Sequence, residues 1–278
     1  MNIRLQKRNL ISALFQVCCL ALGIALLFPL VYCVLISFTH DADLIAGRSL
    51  LAPGVFTWDN YIEVIRGTMI LRFLFNSFVV ALGTSLARVI TSTFAAFAFA
   101  FFDFPLKKFF FTLVLATLIV PAEMLMIPNY FVTSSLGLIN TYLGMMVIYM
   151  VSAANIFLLR QNFLSYSMAV YEASKIDGCS NFIFLLRILI PMSKSVIATV
   201  FISSFVTSWN AYLWPLLVTN MEKMRTAQVI ITMFNVSELK TSYGQIMAAA
   251  VLILIPSIAI FIIFQRWITG SLQGAVKE

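Results

Sequence analysis

Residues 10–38 read LISALFQVCCLALGIALLFPLVYCVLISF, a run without a single Asp, Glu, Lys or Arg. A helix needs about 20 apolar residues to cross hydrocarbon, and this run is longer. Arg4, Lys7 and Arg8 precede it, as charges precede a signal peptide. The apolar stretch is about twice the usual signal-peptide core, however, so it is expected to be an uncleaved first span. The rest of the chain has the same character: 62% of its 278 residues are hydrophobic and 10% are charged. Soluble domains average about 25% charged residues, so an ordinary soluble globule is excluded, and the apolar content excludes disorder. The net charge of +7 is spread as singles and pairs between apolar runs. Such a pattern fits positive inner loops of a membrane protein better than a nucleic-acid surface. Cys18, Cys19, Cys33 and Cys179 form no CxxC spacing and read as free thiols.

Six spans are expected, near 10–38, 73–102, 109–130, 141–160, 195–218 and 246–264, giving an all-α membrane protein. The second contains Arg88, and the third is interrupted by Pro121, Glu123 and Pro128, so neither is a simple lipid-facing rod. Small residues along the second (Ala81, Gly83, Ser85, Ala87, Ala95, Ala96, Ala98, Ala100) allow close packing of helices. With the N-terminus inside, Lys and Arg number 11 in the inner segments (Lys277 included) and 6 in the outer ones (Lys240 included). Both termini are therefore expected in the cytoplasm. The outer loops 39–72, with Pro53, Gly54 and Trp58, and 219–245 are expected to be exposed and open to an external partner.

Between the fourth and fifth spans lies an inner segment of roughly 35 residues, too long for a tight connection. Its centre is Tyr171-Glu172-Ala173-Ser174-Lys175-Ile176-Asp177-Gly178, then nine residues, then Ile188-Leu189-Ile190-Pro191. Ser167 is placed to cap a helix over 168–177, although Val170 stands where a capping box wants Glu or Gln. Gly178 supplies the stop because it tolerates positive φ. A second helical stretch from Asn181 to Leu189 leads to Pro191, a residue suited to a first helical turn. Glu172, Lys175 and Asp177 keep this element out of lipid, while Ala173 and Ser174 leave room for a close partner. An amphipathic helix lying on the membrane surface has the same pattern, and spacing leaves both readings open.

Glu-Ala-Ala, three residues, Gly, nine residues, Ile-x-Leu-Pro is the signature loop of ABC importer permeases. This chain resembles it at Glu172, Ala173, Gly178, Ile188 and Pro191, with Ser174 and Ile190 as mild departures. The resemblance covers nearly the whole chain. Asn76-Ser77-Phe78, Phe104-Pro105-Leu106-Lys107, Ile127-Pro128, Gly137 through Tyr142, Arg160-Gln161-Asn162-Phe163, Trp209 through Pro215 and Gly274-Ala275-Val276-Lys277 look like the carbohydrate and glycerol-phosphate uptake branch. Within it the chain is similar to the maltose-type and glycerol-phosphate-type second permease subunits. The resemblance implies one permease domain over 1–278 in a bacterial inner membrane, paired as a heterodimer with a second permease subunit and served by two ATP-binding subunits and an external solute-binding protein. It also implies that Glu172, Ala173, Ser174, Asp177, Gly178, Ile188 and Pro191 belong to a cytoplasmic coupling helix seated in the ATPase. No GxxxxGK[ST] occurs, so ATP is expected to be used by the partner, with no cofactor held by this chain.

Glu123 and Arg88 are charges at or near membrane depth, and such residues are functional candidates by default, though a Glu-Arg pair can also be structural. Asn76, Trp209, Asn210, Tyr212 and Trp214 are candidates for a solute path, because sugars offer hydroxyls to Asn and flat apolar faces to rings. Interfacial anchoring explains the same aromatic residues equally well. His40 lacks any metal or catalytic spacing and is expected in a solvated loop. A rival reading is an ion-coupled secondary carrier with Glu123 as the proton site. A membrane enzyme is disfavoured, since no paired carboxylates, metal cluster or nucleophile set stands at usable spacing.

Overall fold

The structure is a computed structural model that describes residues 2–48, 55–234 and 242–274. Pro53, Gly54, Lys240 and residues 275–277 lie outside the described residues. In chain order the helices are α1 (Asn2–Ser37), α2 (Asp41–Ile45), α3 (Asp59–Gly67), α4 (Ile70–Phe101), α5 (Lys107–Ala116), α6 (Met126–Ser135), α7 (Tyr142–Met146) and α8 (Ala153–Leu164). They continue as α9 (Met168–Ile176), α10 (Asn181–Phe184), α11 (Ile190–Met192), α12 (Lys194–Trp209), α13 (Leu213–Val218), α14 (Ala227–Phe234) and α15 (Tyr243–Gly274). Among the described residues the only extended pairing is one antiparallel bridge, Thr39 with Phe56.

Among the described residues three helices are long and apolar enough to span a membrane: Leu14–Ser37, Ile70–Phe101 and Tyr243–Ile263. The expected third, fourth and fifth spans are bent pairs instead. Lys107–Ile119 meets Ala122–Ser135 at 93°, Tyr142–Tyr149 meets Ala153–Leu164 at 53°, and Asn181–Met192 meets Lys194–Trp209 at 83°. The first bend sits at Pro121, whose φ of −60° and ψ of 128° are extended. Pro128 bends nothing, because it lies in the first turn of α6, where no intrahelical N–H is needed. The expected fifth span, 195–218, is divided: α12 ends at Trp209, and α13 begins at Leu213.

The chain forms two compact units, Met1–Ile70 with Met233–Leu254 and Leu71–Thr232 with Ile255–Glu278. In the first, Asn60 is buried and donates its Nδ2 to the carbonyls of Ser37 at 3.0 Å and Thr39 at 2.9 Å, fastening α3 to the end of α1. In the second, α4 is the central post. Its small residues do what their size allows: Ala81 and Ala96 are fully buried, and a Cβ on Gly83 would stand 2.8 Å from the Met146 sulfur. Carbonyls near the C-terminal end of α4 receive cations, Phe102 from Lys107 Nζ at 2.7 Å and Phe99 from Arg160 Nε at 3.2 Å. Positive groups are favoured there by both the unpaired carbonyls and the helix dipole.

Candidate functional site

The segment from Ser167 to Pro191 is a helix, a reversal and a second helix. Ser167 Oγ accepts from Ala169 N at 3.3 Å and opens α9. The helix closes with paired bonds from Gly178 N to Lys175 O at 3.1 Å and from Cys179 N to Ser174 O at 2.9 Å. This is the Schellman arrangement, which needs a left-handed residue, and Gly178 has φ of +75°. Lys175 Nζ donates to Cys179 O at 3.2 Å and lies 5.2 Å from the Tyr171 ring centroid, clasping the reversal. Ser180 then caps α10, its Oγ accepting from Ile183 N at 3.3 Å.

One face of this element is keyed into the protein. Tyr171 packs 5.0 Å from both the Phe101 and Phe184 rings, and Phe184, Leu185 and Leu189 are buried with Phe97, Leu159 and Phe163. Burial pushes the Tyr171 phenol up, so it stays protonated and donates to Asn181 Oδ1 at 2.8 Å. Ser174 is 6% exposed and donates to Tyr171 O at 2.6 Å, so the room left by its small side chain is used inside the chain, not offered outward. Ile188 packs at the edge of the same cluster.

The opposite face is open. Glu172, Ala173, Lys175, Asp177 and Gly178 are exposed, and Ile176 is 87% exposed. The inward side of α9 is already occupied by its own core, and the outward side carries two carboxylates beside one lysine. Such a surface suits a protein groove better than anionic headgroups. Between α10 and Pro191 the chain makes one π-helical turn, Leu185–Leu189. Pro191 has no N–H for the Arg187 carbonyl and its ring crowds that oxygen, which accounts for the widened turn.

The solute-path candidates separate into buried fasteners and exposed residues. Asn76 is fully buried; its Nδ2 donates to Lys223 O at 2.9 Å and Arg225 O at 2.8 Å, and its Oδ1 accepts from Tyr142 OH at 2.7 Å. Both donors are engaged, so Asn76 latches the 223–225 turn to α4. Trp214 is also fully buried, donating Nε1 to Gly144 O at 3.0 Å among Val80, Met145 and Val218. Trp209 stacks on Phe205 at 5.9 Å, and among the described residues its buried Nε1 and the Oγ of Ser208 have no hydrogen-bond partner. Asn210 and Tyr212 are exposed in the break between α12 and α13, and Asn210 Oδ1 accepts from Gln228 Nε2 at 3.3 Å. Glu123 is exposed in the 3-10 turn Ala122–Leu125. Trp209, Asn210 and Tyr212 thus cluster at one break, whereas Asn76 and Trp214 serve the packing around α7.

Arg88 has a definite partner that the sequence did not indicate. Its Nε donates to Tyr149 O, its guanidinium lies 5.6 Å from the Tyr149 ring, and Thr91 Oγ1 donates to Met150 O at 2.9 Å. Both carbonyls lie at the bend before α8, where helical pairing lapses. Among the described residues Arg88 makes no ion pair with Glu123. The available signal was the i, i+3 spacing of Arg88 and Thr91 on one face of α4. His40 also has a partner, with Nε2 3.4 Å from Asp59 Oδ2.

Residues 88–273 match the family described as binding-protein-dependent transport system inner membrane component. The sn-glycerol-3-phosphate transport system permease protein UgpE of Rhizobium meliloti (strain 1021) is 36% identical over 282 residues, covering 98% of this chain and 100% of the relative. Its namesake from Brucella melitensis biotype 1 is 37% identical over 267 residues, covering 93% and 95%. A chain from the crystal structure of a bacterial ABC transporter involved in the import of the acidic polysaccharide alginate shares the fold. Its TM-score is 0.82 at 24% identity, over 93% of this chain and 96% of that one.

Proposed function

The chain belongs to the family of binding-protein-dependent transport system inner membrane components, and on that premise we propose how this permease subunit of an ABC importer works and what it carries. The solute is a sugar or glycerol-phosphate-like compound; the UgpE relatives are named for sn-glycerol-3-phosphate transport. The chain forms half of the translocation path as one permease domain, pairing with a different permease subunit. Each bent helix pair counts as one span, giving six, with both termini in the cytoplasm. Two copies of a separate ATPase bind below, and a solute-binding protein delivers from outside. The chain itself holds no cofactor and catalyses no reaction.

The observation that carries the mechanism is the two-faced α9: one side packed with α4, α8 and α10, the other side open. A helix gripped by the ATPase on its open face moves when the nucleotide sites close. Because Tyr171, Phe184, Leu185 and Leu189 interlock with α4 and α8, close-packed side chains pass that motion to the spans rather than absorb it. Asn210 and Tyr212, exposed at the break after α12, are taken as the residues of this chain that meet solute, with Trp209 buried against Phe205 at the end of α12.

Gly178→Asp tests the coupling role. A Cβ at this position meets nothing within 4 Å inside the chain, and Asp tolerates left-handed backbone better than most residues. The variant is expected to reach the membrane at normal levels and to lose ATP-driven uptake in reconstituted vesicles, because the added carboxylate projects into the docking contact. Normal uptake by that variant would remove α9 from the mechanism.

A further inference from the structure

Beyond transport itself, we propose that the four-ring cluster Phe38, Phe56, Trp58 and Tyr61 is a lipid-interface anchor. It would seat against the glycerol and carbonyl layer of zwitterionic phospholipid and fix the depth of α1's outer end. Phe38 stacks on Phe56 with centroids 4.4 Å apart and takes Trp58 edge-on at 4.8 Å and Tyr61 at 4.9 Å. The cluster is held firmly. Thr57 N donates to Phe38 O at 2.7 Å, Thr39 bridges Phe56, and the Tyr61 hydroxyl lies 2.7 Å from Ser37 Oγ. Yet Phe56 remains 62% exposed and Trp58 60% exposed. Two large rings bolted in place and left in water are costly, so this surface is built to be covered.

Position identifies the cover. The apolar run 10–38 has 29 residues, and at about 1.5 Å per residue it is longer than a hydrocarbon core of about 30 Å, so its outer end reaches the interface. Phe38 is the last residue of that run, so the rings stand at the end of the span. Along α1, Leu20, Leu26, Leu27, Phe28 and Val31 are exposed, so the bare rings stand at the end of a helix that is itself bare and apolar along most of its described length. The charges of the segment around the rings are Asp41, Asp43, Asp59 and Glu63 against Arg48 and Arg66, with Arg48 paired to Asp43. That balance offers anionic lipid no net positive surface and favours a zwitterionic interface, where an indole ring rests with its N–H toward ester carbonyls. The inference depends on α1 crossing the membrane.

The test uses the assembled transporter in phosphatidylcholine vesicles brominated either near the headgroup or near the chain end. The Trp58 signal is isolated as wild type minus Trp58→Phe, a change that keeps an aromatic ring in the cluster. Headgroup-proximal bromine should quench that signal at least about twofold more than deep bromine, as expected for a ring at the interface. Aqueous iodide should have little effect, and added binding protein none. Quenching by iodide without bromine sensitivity would overturn the anchor, as would shielding that develops only with the binding protein, which would make the rings a protein-docking surface. Leu26→Trp separates the two layers of the argument. Deep quenching there with an aqueous Trp58 refutes the anchor alone, whereas an aqueous Leu26→Trp refutes the span and the anchor together.

Discussion

Asn76 shows how one side chain can look like a ligand contact and act as a fastener. Its two amide hydrogens satisfy the carbonyls of Lys223 and Arg225, and its oxygen receives the Tyr142 hydroxyl. Each buried carbonyl that loses its donor costs about 1–3 kcal/mol, so Asn76→Ala should destabilise the protein by about 2–4 kcal/mol. Asn76→Asp should be worse at neutral pH, because it removes both donors and places a carboxylate against two carbonyl oxygens. The expected result is a lowered thermal aggregation midpoint with an unchanged half-saturating solute concentration for the Asn76→Ala transporters that survive. A shifted half-saturation with normal thermal stability would instead place Asn76 in the solute path. Arg88 is a parallel case: a charge in an apolar helix whose Nε–H is given to the Tyr149 carbonyl at a helix bend.

Among the elements, the stretch from Ser167 to Pro191 was largely legible in the sequence, and the reason is local. A serine cap, a glycine stop and proline's missing N–H act within a few residues, so Ser167, Gly178 and the bend at Pro121 could be read directly. Which way Ser174 faces could not be read, because it depends on Phe101 and Phe184 arriving from other helices. Pro191 does stand in the first turn of α11, as its missing N–H suggests, but the π-helical turn just before it is hidden in the sequence, because no residue signal marks a widened turn. This turn stands between the open face of α9 and the span α12, and one residue of helical register is about 100° of rotation. Pro191→Ala restores the N–H toward Arg187 O and lets ordinary α pairing continue, turning Phe184 and Leu185 against their pockets. The expected outcome is an assembled complex that hydrolyses ATP but moves less solute per ATP, by roughly tenfold, the effect of about 1.4 kcal/mol on a two-state balance. An unchanged transport-to-hydrolysis ratio would make the turn a passive accommodation of proline.

For the whole molecule, the all-helical class was legible in the sequence, whereas the shape of the apolar segments was not: among the described residues three are long single helices and three are bent pairs. Hydropathy measures whether a stretch can lie in lipid, and it is blind to a bend of 93° or 53° inside that stretch. Nor could it sort the exposed Asn210 and Tyr212 from the buried Trp209 and Trp214, since the place of Trp214 depends on Gly144, 70 positions earlier in the chain. Orientation is the property that charge counting addresses, and it ties the parts together. In the orientation proposed from the excess of Lys and Arg, α9 lies in the cytoplasm and Asp43 and Glu222 lie outside. Single cysteines at Asp177, Asp43 and Glu222, in a background with Cys18, Cys19, Cys33 and Cys179 replaced, should therefore divide cleanly in intact cells. A membrane-impermeant maleimide should label Asp43→Cys and Glu222→Cys at once and Asp177→Cys only after the membrane is opened. Asp177 and Glu222 are separated by the α12 segment, so an odd number of crossings between them is required for opposite labelling. If both react in intact cells, the bent pair Asn181–Met192 and Lys194–Trp209 does not traverse the membrane, and α9 cannot be the point at which a cytoplasmic ATPase takes hold.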